Sequence, residues 1–269
     1  SYNAWLYGYA NPTRYFDPTG QSSEEYPYDL LYGIRMTGNW RPENKSFVRK
    51  AVGLVADKFA RTLGVSMMGL PSNNPQALIF MAVYGIHKGD TMNFEWDPKC
   101  YRCRPLACQE ADLWENQDPG TCDCEATNTC DCKPTGGYTE SPRWIKFASM
   151  WSSSYENVDE RRVNNVIHEL GHAFNGRVSR IPENLVHDSP PPIENDPWRL
   201  EQKPKGFYGG KEKNHTWMQS PYSSGSETFA DMFLGWVFGQ WAPDKYGKAR
   251  AEFMNEHMGS WIRQALLKH

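Results

Sequence analysis

Apolar side chains recur at helical spacing between Arg41 and Gly64, where Val48, Val52, Val55 and Phe59 fall on one side with Ala51 and Leu63 beside them. A helix is predicted there, with Thr37 or Asn39 capping its approach and Gly64 suiting its end. The run Ala77 to Ile86 (ALIFMAVYGI) lacks polar interruptions and reads as a buried strand, Thr91 to Trp96 as a second, and Pro142 to Trp151 as a third. A helical period returns from about Asn157 to Asn175, then in an apolar stretch from about Ser226 to Gln240. It returns again from Pro243 to about Leu267, with Phe253, His257, Trp261 and Ile262 along it. Cys100 to about Gly137 is full of Cys, Asp, Pro and Gly and reads as a loop-like insertion. Residues 176–225 carry Pro, Gly, Asn and Ser and read mostly as loop. Helices and short strands in this order predict an α+β domain with a small sheet.

Composition narrows the class. A chain of 269 residues suits one large domain, or a domain with an insertion, and can bury a proper core. Mean hydropathy is low at -0.72, yet eleven Trp and fourteen Tyr argue for an aromatic-rich core rather than disorder. The net charge of -3, with Lys and Arg scattered, argues against nucleic acid as a partner. The longest apolar run is well short of the roughly 20 residues a membrane span needs. No signal peptide is visible, and the opening Ser1 reads as a processed end or an artificially chosen boundary.

The helix from about Asn157 contains VNNVIHELGHAFNG, Val163 to Gly176, which sets His168, Glu169 and His172 in the order His-Glu-x-x-His. Residues four apart on an α-helix share a face, so the two imidazoles can share one ion. Glu169 stands one step round and is free to act as a base beside it. The composition predicts only about 0.01 chance occurrences of this pattern. Val166, Ile167, Leu170 and Ala173 supply apolar neighbours, and Gly171 allows another backbone to come close. A catalytic zinc usually takes three protein ligands and keeps one position open. A third histidine in H-E-x-x-H-x-x-G-x-x-H fails, because those positions hold Asn175 and Val178. A carboxylate from a second helix is the other common solution. SETFADMF offers Glu227 as ligand, and Asp231, four residues on, as acceptor for a ligand histidine's other nitrogen. His187, Asp188, His215 and Asp231 are the rival ligands. His187 and His215 lie in polar stretches that suit a surface or a substrate-side donor better.

These residues resemble the gluzincin metallopeptidases, and more narrowly the lethal-factor-like group. The likeness runs through HELGHA (His168 to Ala173), Tyr222 and ETFADMF (Glu227 to Phe233), about 70 residues in all. Tyr222 lies five residues before Glu227, closer than the family spacing of about seven. The resemblance implies a zincin-like fold and a zinc ion (Zn2+) on His168, His172 and Glu227. It also implies Glu169 as general base acting on a protein or peptide substrate. The developing oxyanion needs a further donor, for which Tyr222 is the first candidate and His215 the second. The strand from Trp144 to Trp151 is either an edge strand that pairs with extended substrate or a core strand.

The first 20 residues resemble the end of the Rhs-repeat-associated core, through Asn3, Tyr7, Tyr9, Asn11 and Pro12, followed by Asp17, Pro18 and Gly20. The resemblance implies that residues 1–20 are the tail of an encapsulating cage and that 21–269 are its cargo. That cargo would be a metallopeptidase effector or toxin, secreted or delivered into a target cell, with a Cys-rich insertion at 98–140. All seven cysteines (Cys100, Cys103, Cys108, Cys122, Cys124, Cys130 and Cys132) lie in that insertion, as disulfides or as thiolates on a structural metal. Two rivals from other classes are a nuclease cargo, which wants a basic groove, and a non-catalytic binding or adhesion module. A serine hydrolase would want a G-x-S-x-G turn, which the chain lacks.

Overall fold

The computed structural model describes residues 26–65, 74–87, 89–96, 101–105, 130–134, 137–147, 158–188, 225–243 and 245–268. The architecture is α+β, as the alternation of patterns predicts. Its elements in chain order are α1 (Tyr26–Leu31), β1 (Ile34–Gly38), α2 (Pro42–Thr62), α3 (Pro75–Tyr84), β2 (Met92–Trp96), β3 (Tyr101–Pro105), β4 (Cys130–Pro134), β5 (Tyr138–Ser141), β6 (Trp144–Phe147), α4 (Val158–Arg177), α5 (Ile181–Asp188), α6 (Gly225–Phe238) and α7 (Lys245–Leu267).

Four strands form one sheet in the order β1-β2-β6-β5. The β1–β2 and β2–β6 pairs are parallel, and β5 runs antiparallel to β6. Ile34, Met92, Phe94, Ile145 and Phe147 alternate inward and are buried. The opposite face is polar: Trp144 Nε1 donates to Glu95 Oε2 at 2.8 Å, and Lys146 pairs with Glu140. The helical side is filled by aromatics. Phe59 of α2 meets Phe174 of α4 and Phe233 and Trp236 of α6 at centroid distances of 5.7–6.1 Å.

Several predicted elements change. Ala77 to Ile86 is not a strand but lies mostly in α3. Asn74 caps this helix by accepting from Ala77 N, Pro75 opens it, and Gly85 ends it at φ 66°. Ala77, Ile79, Phe80, Val83 and Tyr84 are all buried, and a helix buried around most of its girth has the same unbroken apolar run as a buried strand. The approach to α2 is capped by neither Thr37 nor Asn39. Arg41 holds the N-cap position with no side-chain bond, and Pro42 supplies the start. The stretch after residue 176 is not all loop, since α5 occupies Ile181–Asp188. Asn175 organises that turn: its Oδ1 accepts from Glu183 N at 3.2 Å. The insertion is not wholly loop-like either. β3 and β4 pair as an antiparallel ribbon whose register sets Cys103 opposite Cys132. Residues 144–147 do not form an edge, because β6 sits between β2 and β5; among the described residues β5 is the outer strand on that side and β1 on the other.

The motif helix is anchored from two sides. Tyr84 of α3 donates its hydroxyl to the buried Leu170 carbonyl at 3.0 Å, and its burial pushes the phenol's pKa well up. At the far end, Arg177 donates to Val83 O and Ala265 O, both at 3.3 Å, and also bonds Lys268 O. One guanidinium thereby serves carbonyls at the C-terminal ends of α3 and α7, where helix dipoles favour a cation. Gly85 makes room for it, since a Cβ there would stand 2.8 Å from Arg177 Cζ. Among the described residues no helix is long and apolar enough to cross a membrane.

Candidate metal centre

His168 and His172 project from α4 on one face, with ring centroids 4.7 Å apart and Nε2 atoms 3.1 Å apart. Helix α6 crosses α4 closely because Gly171 has no side chain. A Cβ there would lie 3.1 Å from both Ala230 Cα and Phe233 Cβ. Glu227 precedes Ala230 by one turn, so this close crossing carries its carboxylate over the histidines. Glu227 Oε2 lies 3.1 Å from His168 Nε2 and 3.5 Å from His172 Nε2. Among the described residues, His168, His172 and Glu227 are the group of His, Cys, Asp and Glu whose ligand atoms converge, and they could hold a metal ion.

The spacing tests the fit. A regular tetrahedron with nitrogen and oxygen ligands at about 2.0–2.1 Å has edges of about 3.3–3.4 Å. The three observed separations of 3.1, 3.1 and 3.5 Å bracket that value. Three ligand atoms of a four-coordinate ion fit this triangle, which leaves the fourth position to a ligand from outside. The charges fit too. With both Nε2 atoms unprotonated, two ring nitrogens and a carboxylate oxygen present lone pairs to one another, an arrangement that a cation at the centre would stabilise.

Each of the two histidines is held from behind. His168 Nδ1 lies 2.9 Å from Asp231 Oδ1, and both side chains are almost wholly buried. The N–H is not ideally aligned with that oxygen, so the contact works chiefly as a close charge–dipole pair. His172 Nδ1 lies 3.0 Å from Ser226 Oγ. With each Nε2 turned to the centre, Nδ1 carries the proton and faces Asp231 or Ser226, which favours that tautomer in both rings. Burial disfavours a charged His168, but Asp231 and Glu227 outweigh it and hold its pKa well above the ordinary histidine value. Burial likewise opposes ionised Glu227, yet His168 and His172 prevail and keep its carboxyl well below the usual range.

Glu169 is 5 % exposed and does not join the triangle. Thr139 on β5 reaches it instead, with Oγ1 2.7 Å from Glu169 Oε2 and 3.0 Å from the Glu169 carbonyl. Gly137, just before β5, comes so close that a Cβ would stand 2.7 Å from Glu169 Cγ and 2.8 Å from Oε1.

The structure thus brings together His168, His172, Glu227 and Asp231, with Asp231 behind a ligand rather than among the ligands. Tyr222 and His215 lie outside the described residues, as do Cys100, Cys108, Cys122 and Cys124. His187 and Asp188 are the last residues of α5, while Cys103, Cys130 and Cys132 fall on the β3–β4 ribbon. Sequence reasoning missed Ser226, Gly137 and Thr139. Ser226 was within reach, since it directly precedes Glu227 where α6 begins. Gly137 and Thr139 carry no local sign of their role. No family model, curated protein or solved structure matches the chain, so the class of site rests on its own geometry: two helix-borne imidazoles and one carboxylate from a crossing helix, with a separate buried carboxylate beside them.

Proposed function

We propose that the chain is a zinc-dependent endopeptidase of the gluzincin type. The observation that carries this reading is the His168–His172–Glu227 triangle with tetrahedral edges, together with Glu169 set apart from it. Two imidazoles and one carboxylate are one of the ligand sets that catalytic zinc takes when it retains an open position. The parallel sheet with one antiparallel outer strand, lying against the motif helix, supports a zincin-like arrangement.

When bound, zinc supplies Lewis acidity, polarising a peptide carbonyl and making a water acidic near neutral pH. Glu169 accepts the water's proton on its carboxylate as the oxygen attacks the carbonyl carbon. It then delivers that proton to the amide nitrogen as the C–N bond breaks. Asp231 and Ser226 hold the imidazoles in the ligating tautomer throughout. Among the described residues no strand pairs with the far side of β5, and that backbone edge would offer hydrogen bonds to an extended peptide, a role that moves here from residues 144–151. Tyr222 is the proposed oxyanion donor, with His215 the alternative. The seven cysteines are proposed to brace the insertion as disulfides, which thiol counting with and without reductant would separate from a thiolate metal site. Residues 1–20, outside the described residues, support by their resemblance a cargo released from an Rhs-type cage and delivered to a target cell.

The test is Glu169→Gln. It should keep one equivalent of zinc and lose cleavage by about 10²–10⁴-fold, read as a proteome-wide comparison of new termini against the parent. Cleavage at the parental rate would end the mechanism. Absence of bound metal and of cleavage in the parent would favour a binding module.

A further inference from the structure

From this geometry we infer that Thr139 and Gly137 form a cradle on the outer strand that sets the place of the Glu169 carboxylate, so that Thr139 is a positioning residue for the general base. The inference rests on the peptidase reading and adds to it a strand-borne device that no ligand pattern contains.

Two independent observations converge on one carboxylate. The first is the hydroxyl: Thr139 Oγ1 donates to Glu169 Oε2 at 2.7 Å. Of the two acceptors in reach it lies closer to the carboxylate, and the Glu169 carbonyl at 3.0 Å is the weaker alternative. The second is the missing side chain. At Gly137 even a methyl group would overlap Glu169 Cγ, Cδ and Oε1 at 2.7–3.0 Å, so the backbone of the strand forms a wall against the carboxylate's other oxygen. One oxygen is therefore hydrogen-bonded, and the other is packed on the side of Gly137. A glutamate has three rotatable side-chain bonds, and on a helix face it would otherwise sample several rotamers. General-base chemistry needs the accepting oxygen within hydrogen-bond reach of the water. Because Thr139 binds Oε2, a proton taken from the water on Oε1 leaves that hydrogen bond in place, and the contact survives the transfer.

The cradle couples substrate to base. The strand whose outer edge, unpaired among the described residues, is proposed to pair with the peptide is the strand whose Thr139 holds the carboxylate, with Thr139 in register with Ile145 on β6. Any shift of β5 on substrate pairing is transmitted directly to Glu169.

The experiment compares Thr139→Val, Thr139→Ser and Gly137→Ala with the parent and with Glu169→Gln. Steady-state kinetics would use a fluorogenic peptide matching the strongest cut found in the proteome-wide comparison. Valine keeps the shape and strand preference of threonine and removes only the hydroxyl. We expect Thr139→Val to lower kcat by about 10–100-fold with KM changed by less than about two-fold, and Thr139→Ser to recover most of the loss. Gly137→Ala should show the same split, because the atoms it displaces are the mobile end of Glu169. Zinc content by atomic emission and Tm of the metal-free protein should match the parent in all three. A crystal structure of Thr139→Val should show the Glu169 carboxylate displaced. If Thr139→Val keeps the parental kcat and the carboxylate stays in place, the cradle is wrong while a dead Glu169→Gln leaves the peptidase reading intact. If the parent cuts nothing, or Glu169→Gln cuts as the parent does, the peptidase reading falls and the cradle with it. If serine fails to rescue, the loss in valine is a packing effect and the positioning role is overturned.

Discussion

Gly171→Ala tests the helix crossing on which the whole centre depends, because two opposed effects of known size meet at that residue. In an exposed helix, replacing Gly by Ala stabilises by roughly 0.5–1 kcal/mol through reduced backbone entropy in the unfolded chain. Here the new methyl would stand 3.1 Å from Ala230 Cα, 3.1 Å from Phe233 Cβ and 3.2 Å from Phe233 Cδ1. Neither neighbour yields easily. Ala230 Cα is backbone within α6, and the Phe233 ring is already packed against Phe59, Phe174, Phe229 and Trp236. Overpacking of this kind costs about 1–3 kcal/mol. The balance is a net loss of about 0–2.5 kcal/mol, which at roughly 2–4 °C per kcal/mol lowers Tm by up to about 10 °C. The alternative to strain is separation of α4 from α6 by a few tenths of an ångström. That moves Glu227 off the tetrahedral edge, where metal sites tolerate only about 0.2 Å. Zinc affinity should therefore fall by about ten-fold, equivalent to about 1.4 kcal/mol. Thermal unfolding of the chelator-treated protein reads the first effect, and competition with a chromophoric zinc chelator reads the second. A Gly171→Ala protein that melts higher than the parent, with parental zinc affinity, would show that the crossing is loose and that helix propensity wins.

Two other predictions concern the groups behind the ligands and their charge. Asp231→Asn should weaken zinc binding by about 10–100-fold while leaving the three ligands in place, and Ser226→Ala should weaken it less; chelator competition measures both, and equal affinity in Asp231→Asn would rule out its orienting role. The pH dependence of the metal-free protein follows from the two shifted groups. His168 has a folded pKa raised by Asp231 and Glu227, so its contribution to stability is complete below the unfolded value of about 6.5 and is lost as pH rises through the raised value. Glu227 has a lowered folded pKa, so its contribution is present above about 4.3 and is lost as pH falls through the lowered value. The metal-free Tm should therefore decline as pH climbs above about 6.5, and zinc, taking the proton's place, should abolish that decline. A metal-free Tm that is flat or rising over the same range would contradict the charge pattern.

The sequence alone determined what depends on local period. Four-residue spacing on a helix put His168 beside His172, and the same spacing put Glu227 and Asp231 on a common face. Gly171 marked where a second backbone could approach, and the structure uses it for α6. Tertiary structure decided everything that depends on which segments become neighbours. The run Ala77 to Ile86 was ambiguous because burial on most sides erases the period that separates helix from strand, and Asn74 and Gly85 settled it from outside the run. The outer place in the sheet went to β5 rather than β6, because strand order is a matter of long-range pairing that no local pattern encodes. For the same reason Asp231 met His168 and Ser226 met His172 only once α6 had crossed α4, and Thr139 found Glu169 across 30 positions of chain. Side-chain type and spacing fix which groups are available for chemistry. The direction in which each points, and what stands behind it, come from packing between segments distant in the chain.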